Sequence, residues 1–357
     1  MRLGESSPQC ELALPFDLCR FELRWHIWTE PMTTSDDNTF RPNRRGVLAG
    51  LAAALFAPSI VRAADDSTTG GKPADSKNAV AEEKAEDAPP LLSGNYSRER
   101  RLFRTDLLSK GPAPDIYEPL VTPPTADQLF YRSGIGGELE LVSWVSKYTR
   151  ERTPKPAVLF LHGGNAIGQG HWQLMKPYVE AGYVVMIPSM RGENGQRGNF
   201  SGFYDEVADV LAASNRLRHL PGVDPRRLFL AGHSIGGTLA MLTAMSTKRF
   251  RAAAPISGNP DAYAFFSRYP QDIRFNTKNP REFQMRSPLC YAHSFRCPMK
   301  LFHGTEEAHF DSRLALLAKR ATAGGVKMDM ETVPGSHNSA LPGEIEQSIR
   351  FFESVAA

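Results

Sequence analysis

From residue 139 onward, short apolar runs alternate with segments of helical length, and this alternation limits the folds that the chain can adopt. The apolar runs lie at 139–145, 157–161, 183–187, 228–231, 252–256, 299–302 and 327–332. The segments of helical length lie at 172–180, 203–220, 237–246, 313–323 and 344–352. Strands that alternate with helices in this way form a mostly parallel sheet covered on both faces. The sequence therefore predicts an α/β fold whose ligands bind beyond the carboxyl ends of the strands.

The strongest candidate for chemistry is Ser234, the serine of a Gly-x-Ser-x-Gly motif at 232–236. It follows the apolar run 228–231 and precedes a helical segment. This arrangement is typical of a nucleophile elbow, which presents a serine hydroxyl at the N-terminus of a helix, where developing negative charge is favoured. A glycine-rich turn with a structural role is the alternative. We predict Ser234 as a catalytic nucleophile.

A serine nucleophile needs a general base, and three histidines follow it: His303, His309 and His337. His337 lies after the last apolar run and before the final helical segment, which is a loop at the ligand-binding edge of the sheet. We therefore predict His337 as the base. His303 ends an apolar run beside a glycine, and we expect it to order that turn. His309 is expected to face solvent or substrate.

Several segments occur in a fixed order along the chain: Arg191-Gly192 with Asp209, Gly222-Val-Asp-Pro-Arg-Arg, Leu228-Phe-Leu-Ala-Gly-His-Ser-Ile-Gly-Gly, Ser287-Pro288 and Cys297-Pro298. Together they resemble the prolyl oligopeptidase family of the α/β-hydrolase superfamily. The resemblance covers roughly residues 131–357. It implies an α/β-hydrolase fold, with a mostly parallel central sheet, helices on both faces and a small cap insertion. It also implies that the protein is a serine hydrolase. Its motifs favour peptidase over esterase only weakly.

The acid of the catalytic triad is implied by the same resemblance. The family motif His-Gly-x-x-Asp carries the acid at its last position, which is Glu307 in this chain. Glutamate in place of aspartate can still accept the Nδ1 hydrogen of the histidine and fix its tautomer. We predict Glu307 as the acid, with Asp311, Glu306 or no functional acid as alternatives. Asp311 is otherwise expected to cap the helix that follows it.

Two backbone N–H groups should stabilise the oxyanion that forms during acyl transfer. One belongs to Ile235, the residue after the nucleophile. The resemblance assigns the other to Gly164, in a His-Gly-Gly turn after the run 157–161. A purely conformational role for this glycine is the alternative.

The mechanism implied by these residues needs no cofactor and no metal. The spacing of His303, His309 and Glu307 matches no zinc signature. The chain has 42 Lys and Arg against 39 Asp and Glu, so its charge gives no reason to expect nucleic-acid binding. Four cysteines exclude a disulfide-dense scaffold. Cys290 and Cys297 either form a disulfide or remain free thiols.

Three functions fit the sequence. We favour a serine peptidase of the prolyl oligopeptidase family that acts on short peptides and lacks the family's propeller, because residues 64–130 are too few to form one. A carboxylesterase that cleaves acyl or sugar esters is the second function, and a catalytically inactive binding protein is the third. Residues 257–296 are expected to form the cap. Its aromatic side chains either line the pocket or pack in the core: Tyr263, Phe265, Phe266, Tyr269, Phe275 and Phe283.

The N-terminal region resembles a targeting sequence. Arg44 and Arg45 precede an apolar run at 46–61 and small residues around Ala63, a pattern typical of a twin-arginine export signal. The run is shorter than the roughly 20 residues that span a membrane as a helix. We therefore expect an exported protein, periplasmic or extracellular, with no membrane span after cleavage. The predicted segments are an upstream extension at 1–31, the signal at 32–63, a disordered linker at 64–95, a wrapping segment at 96–130 and the catalytic domain at 131–357.

Overall fold

The computed structural model describes residues 88–114, 119–147 and 153–356. The predicted extension at 1–31 and the predicted signal at 32–63 lie outside the described residues. Residues 64–87 of the predicted linker lie outside them as well. Among the described residues, no helix is both long enough and apolar enough to cross a membrane.

The described residues form an eight-stranded sheet with the strand order β1-β2-β4-β3-β5-β6-β7-β8. Strands β1, β2 and β4 pair antiparallel, and every pairing from β4 through β3 to β8 is parallel. The predicted fold class is thus confirmed. The strands are β1 (Ala126–Ser133), β2 (Leu139–Ser146), β3 (Lys155–Leu161), β4 (Val184–Pro188), β5 (Val223–His233), β6 (Ala252–Ile256), β7 (Met299–Gly304) and β8 (Met328–Val333).

Helices cover both faces of this sheet. They are α1 (Tyr96–Leu102), α2 (Gln169–Gln173), α3 (Lys176–Glu180), α4 (Glu206–Arg218), α5 (Ile235–Ser246), α6 (Ala262–Arg268), α7 (Pro280–Gln284), α8 (Asp311–Ala323) and α9 (Leu341–Ala356). The single helix predicted at 172–180 is in fact two short helices, α2 and α3. Pro177 lies in the first turn of α3, the position in a helix that tolerates a proline.

The core forms two layers because the buried strands alternate their side chains between the two faces. In β3, Leu159 packs in the layer that includes α4, α5 and α8. Its neighbours Val158 and Phe160 pack in the layer that includes α2, α3 and α9. All three side chains are almost completely buried, as expected for a central parallel strand.

Strand β1 was not predicted, and it crosses the boundary that the sequence suggested at residue 131. It lies at the edge of the sheet and pairs with β2 alone. Its burial is irregular: Tyr131 is buried, whereas Phe130 is half exposed. An edge strand of this kind has no continuous apolar run, so its sequence does not stand out.

The segment between β6 and β7, residues 257–296, carries α6, α7 and two 3₁₀ turns and corresponds to the predicted cap. A buried ion pair, Arg286 with Glu282 at 2.5 Å, fastens it to the rest of the domain. Glu282 accepts hydrogen bonds from Thr105 Oγ1 and the Asp106 N–H, both upstream of the sheet. Arg286 donates to the carbonyl of Gly202, between β4 and α4. One charged pair therefore holds the N-terminal segment, the cap and the sheet together.

Residues 88–95 contact the cap and α8, although the sequence placed them in the linker. The Leu92 N–H donates to the carbonyl of Cys290 at 2.8 Å, and Arg320 donates to the carbonyl of Pro89 at 2.7 Å. Cys290 and Cys297 are both buried free thiols, so the disulfide alternative is wrong. The Cys297 thiol instead lies 3.9 Å from the sulfur of Met299.

Candidate active site

Ser234 lies at the sharp turn between β5 and α5, as the motif predicts. Its backbone has φ 56° and ψ −119°, in a region that residues other than glycine rarely adopt. A side chain on Gly232 would overlap the carbonyl of Gly236, and one on Gly236 would overlap the carbonyl of Leu161. The motif glycines are therefore needed for close backbone packing. The turn places the serine at the start of α5, whose first residue is Ile235.

His337 and Glu307 lie in contact. His337 Nδ1 and Glu307 Oε1 are 2.6 Å apart, and the carboxylate is almost fully buried while the imidazole remains 39% exposed. The loop after β7 and the loop after β8 bring these side chains together, because the two strands are parallel neighbours. The predicted base and the predicted acid thus form a pair.

Two further donors hold the Glu307 carboxylate. The Ser257 hydroxyl donates to Oε2 at 2.6 Å, and the Gly304 N–H donates to the same oxygen at 2.9 Å. Burial raises the pKa of Glu307, but the hydrogen bonds from His337, Ser257 and Gly304 outweigh it and lower the pKa to about 2. The carboxylate is therefore ionised at neutral pH and can only accept a hydrogen bond. It follows that the His337 hydrogen is on Nδ1, which leaves Nε2 free to act as a base.

The predicted residues share one cavity of about 600 Å³. Ser234, His337 and Glu307 line it, together with both predicted oxyanion donors, Ile235 and Gly164. Gly164 has a φ of 69°, a value that favours glycine, so its conformational role and its predicted role coincide. The structure thus brings all five predicted site residues to one place.

Glu307, rather than the alternative acids Asp311 and Glu306, contacts His337 Nδ1. Asp311 Oδ1 is 3.0 Å from Nε2 of His303, and its side chain is 55% exposed. It is the first residue of α8, whose N-cap is Phe310 without a side-chain cap, so the predicted capping role of Asp311 is wrong. His303 is buried and its Nδ1 lies 3.1 Å from the carbonyl of Gly304, consistent with the turn-ordering role expected for it. Glu306 and His309 line the cavity.

Sequence reasoning missed two side chains that support the site. His233, the second residue of the elbow motif, has its Nε2 2.9 Å from the carbonyl of His337. Burial, together with the neighbouring His337, lowers the pKa of His233 to about 4, so this ring is neutral and Nε2 donates. It ties the histidine loop to the elbow. The only sequence signal for this contact was the position of His233 inside the elbow motif.

The second missed contact supports the His-Gly-Gly turn. His162 is fully buried, and its Nε2 lies 3.0 Å from Oε2 of Glu193. The same oxygen accepts the N–H of Met190 at 2.7 Å. This pair fixes the turn that carries Gly164. No pattern in the sequence links residues 31 positions apart in this way.

The cap supplies part of the cavity wall. Of the six aromatic residues predicted for it, Phe265 and Tyr269 line the cavity, together with Arg268. Phe266 and Phe275 are buried in the core. Tyr263 and Phe283 stack on each other with ring centroids 4.5 Å apart. The described residues contain no group of three or more His, Cys, Asp or Glu side chains placed to hold a metal ion.

A family model described as the prolyl oligopeptidase family matches residues 171–353, just over half of the chain. Two curated relatives from Bacillus subtilis (strain 168) are the uncharacterized peptidases YtmA and YuxL. YtmA is 27% identical over 159 residues, which cover 42% of this chain and 62% of YtmA. YuxL is 28% identical over 233 residues, which cover 57% of this chain and 34% of YuxL. The chain thus spans less than two thirds of the length of either relative.

Solved structures show the same fold. The acylaminoacyl peptidase of Pyrococcus horikoshii is 22% identical with a TM-score of 0.53, over 64% of this chain and 41% of that one. A puromycin-hydrolyzing peptidase from Mycobacterium tuberculosis is 22% identical with a TM-score of 0.56, over 64% of this chain and 40% of that one.

Proposed function

The chain belongs to the prolyl oligopeptidase family, and from this membership we propose that it is a serine peptidase that cleaves short peptides through an acyl-enzyme. The observation that supports the proposal most is the 2.6 Å contact of His337 with Glu307 in the cavity that Ser234 also lines. The peptidase names of the two Bacillus relatives point the same way.

In the proposed mechanism, His337 Nε2 removes the hydroxyl proton as Ser234 Oγ attacks the substrate carbonyl. Glu307 stabilises the resulting imidazolium through the hydrogen bond to Nδ1. His337 then gives the proton to the leaving amine, and a water molecule activated by the same imidazole hydrolyses the acyl-enzyme. Every step uses groups that line the cavity.

The developing oxyanion is proposed to accept hydrogen bonds from the N–H groups of Ile235 and Gly164. Both are backbone donors in fixed turns, so they need no rearrangement when charge develops. Loss of one such donor typically lowers the rate by ~10²–10³. The apolar rings of Phe265 and Tyr269 are proposed to contact a substrate side chain.

An active-site serine probe tests the proposal. A fluorophosphonate should label the wild-type protein and should not label Ser234→Ala. Labelling of both proteins to the same extent would remove Ser234 from the mechanism. A panel of aminoacyl-proline and acyl nitrophenyl substrates then separates a peptidase from a carboxylesterase, and turnover of neither class would favour an inactive binding protein.

We also propose that the protein is exported, on the strength of the sequence pattern at 41–63 alone. N-terminal sequencing of the protein recovered outside the cytoplasm should give a mature chain that begins at Ala64. Recovery of the full chain from the cytoplasm only would reject export and would leave the catalytic proposal untouched.

A further inference from the structure

A second concave surface lies at the opposite edge of the sheet from Ser234. Its volume is about 580 Å³. It is built from the end of α4, the first residues of β5 and the segments that lead into β6 and β7. These are the amino ends of parallel strands, whereas the catalytic residues follow the carboxyl ends. We call this surface the basic groove.

Six cationic side chains line the basic groove, and no aspartate or glutamate among the described residues does so. The cations are Arg218, Arg226, Lys248, Arg249, Arg251 and Arg296. An adjoining groove of about 450 Å³ shares Lys248 and Arg296 and adds Lys327. The whole chain carries a net charge of only +3. The lining of the basic groove is therefore more positively charged than the chain as a whole.

The protein itself neutralises little of this charge. Within the described part of the chain, the only one of the six in an ion pair is Arg226, whose Nε lies 3.6 Å from Asp224. Arg249 and Arg251 donate to carbonyl oxygens of Leu211 and Val355, which uses part of their donor capacity and none of their charge.

Arg218 supplies the most specific observation. Its Nε is buried and has no hydrogen-bond partner among the described residues. Burial and the neighbouring charge of Arg218 together lower the pKa of Arg249. Both guanidinium groups line the basic groove, and that of Arg218 has an unmet buried donor. A bound anion would relieve the repulsion between these two positive charges.

We propose that the basic groove binds a small phosphorylated molecule with two adjacent phosphate groups. Guanidinium forks match phosphate oxygens in a bidentate manner. A single carboxylate carries one negative charge, which one arginine neutralises, whereas a diphosphate carries enough charge to engage several of the six cations. Since the groove is at the sheet edge opposite the candidate active site, binding there is independent of the proposed function.

Titration calorimetry of the full chain with inorganic pyrophosphate tests this proposal. The expected result is saturable binding to one site that weakens as the salt concentration rises. Arg218→Gln should weaken binding roughly tenfold or more, as expected when a charge-assisted hydrogen bond is lost. Lys248→Gln should also weaken pyrophosphate binding. The Lys248 side chain is exposed, so this variant remains informative if Arg218→Gln does not fold. Far-UV circular dichroism reports folding in every variant.

Arg132→Gln is the matched control, since Arg132 is an exposed arginine on the distant edge strand β1. It should bind pyrophosphate like the wild type. No saturable binding, or equal weakening by the control and Lys248→Gln, would overturn the proposal. Binding only to vesicles that contain phosphatidylglycerol, and not to pyrophosphate, would also overturn it, in favour of a membrane-facing surface.

Discussion

Replacing Glu344 by glutamine should change how the stability of the protein depends on pH. Glu344 lies in the first turns of α9 with its side chain fully buried. Neither carboxylate oxygen has a hydrogen-bond partner among the described residues. Burial and, to a smaller extent, the negative charge of Glu307 raise the pKa of Glu344 to about 8. The folded protein therefore holds a proton here that the unfolded chain has already lost.

The sign and size of the effect follow from linkage. Between the usual glutamate pKa of about 4.3 and the folded value, the folded state binds one more proton than the unfolded state. The free energy of unfolding therefore falls by about 1.4 kcal/mol for each pH unit as the pH rises through this interval. The total loss of unfolding free energy is about 5 kcal/mol above pH 8, and there is no loss below pH 4. Glutamine has the same shape and does not ionise, so Glu344→Gln should lose this dependence.

Urea unfolding of both proteins between pH 5 and pH 8 measures the difference. The variant should become progressively more stable relative to the wild type, by about 2.6 kcal/mol between pH 5 and pH 7, with a smaller slope as the pH approaches 8. Glu206, whose pKa burial raises to about 7, also makes stability depend on pH. It is present in both proteins, so its contribution cancels in the comparison. Parallel curves for the two proteins would show that Glu344 is not a buried neutral acid.

Two further predictions concern the site and its scaffold. Glu307→Ala should lower kcat about 10⁴-fold, as for other triads without their acid, and Glu307→Asp should keep part of the activity. Asp311→Ala should stay near the wild-type kcat in the same steady-state assay. The reverse ranking would transfer the acid role to Asp311. Glu282→Ala should cost about 3–5 kcal/mol in urea unfolding because it leaves Arg286 buried without its carboxylate, whereas the exposed Arg132→Ala should cost under about 1 kcal/mol. Equal losses would contradict this account.

The sequence was sufficient where a local pattern determines the geometry. Ser234 could be placed because its motif, the strand before it and the helix after it are contiguous in the chain. His337 could be placed because it follows the last strand of a parallel sheet. The pair of His162 with Glu193 could not, since only the packing of two separate loops brings these residues together. The sequence also could not show which aromatic side chains of the cap line the cavity and which pack in the core. Tertiary packing, and not the local sequence period, decides which face of a short helix is buried.

The acid at which the chain departs from the family motif is held by three hydrogen bonds. Glu307 Oε1 faces His337, while Oε2 accepts from the Ser257 hydroxyl and the Gly304 N–H. Ser257 follows β6 directly and has a φ of 48°, an unusual backbone conformation for serine. The end of β7 and the segments that follow β6 and β8 therefore each contribute a group to the carboxylate. Since parallel strands end at the same edge of the sheet, these three groups can reach both oxygens of one carboxylate.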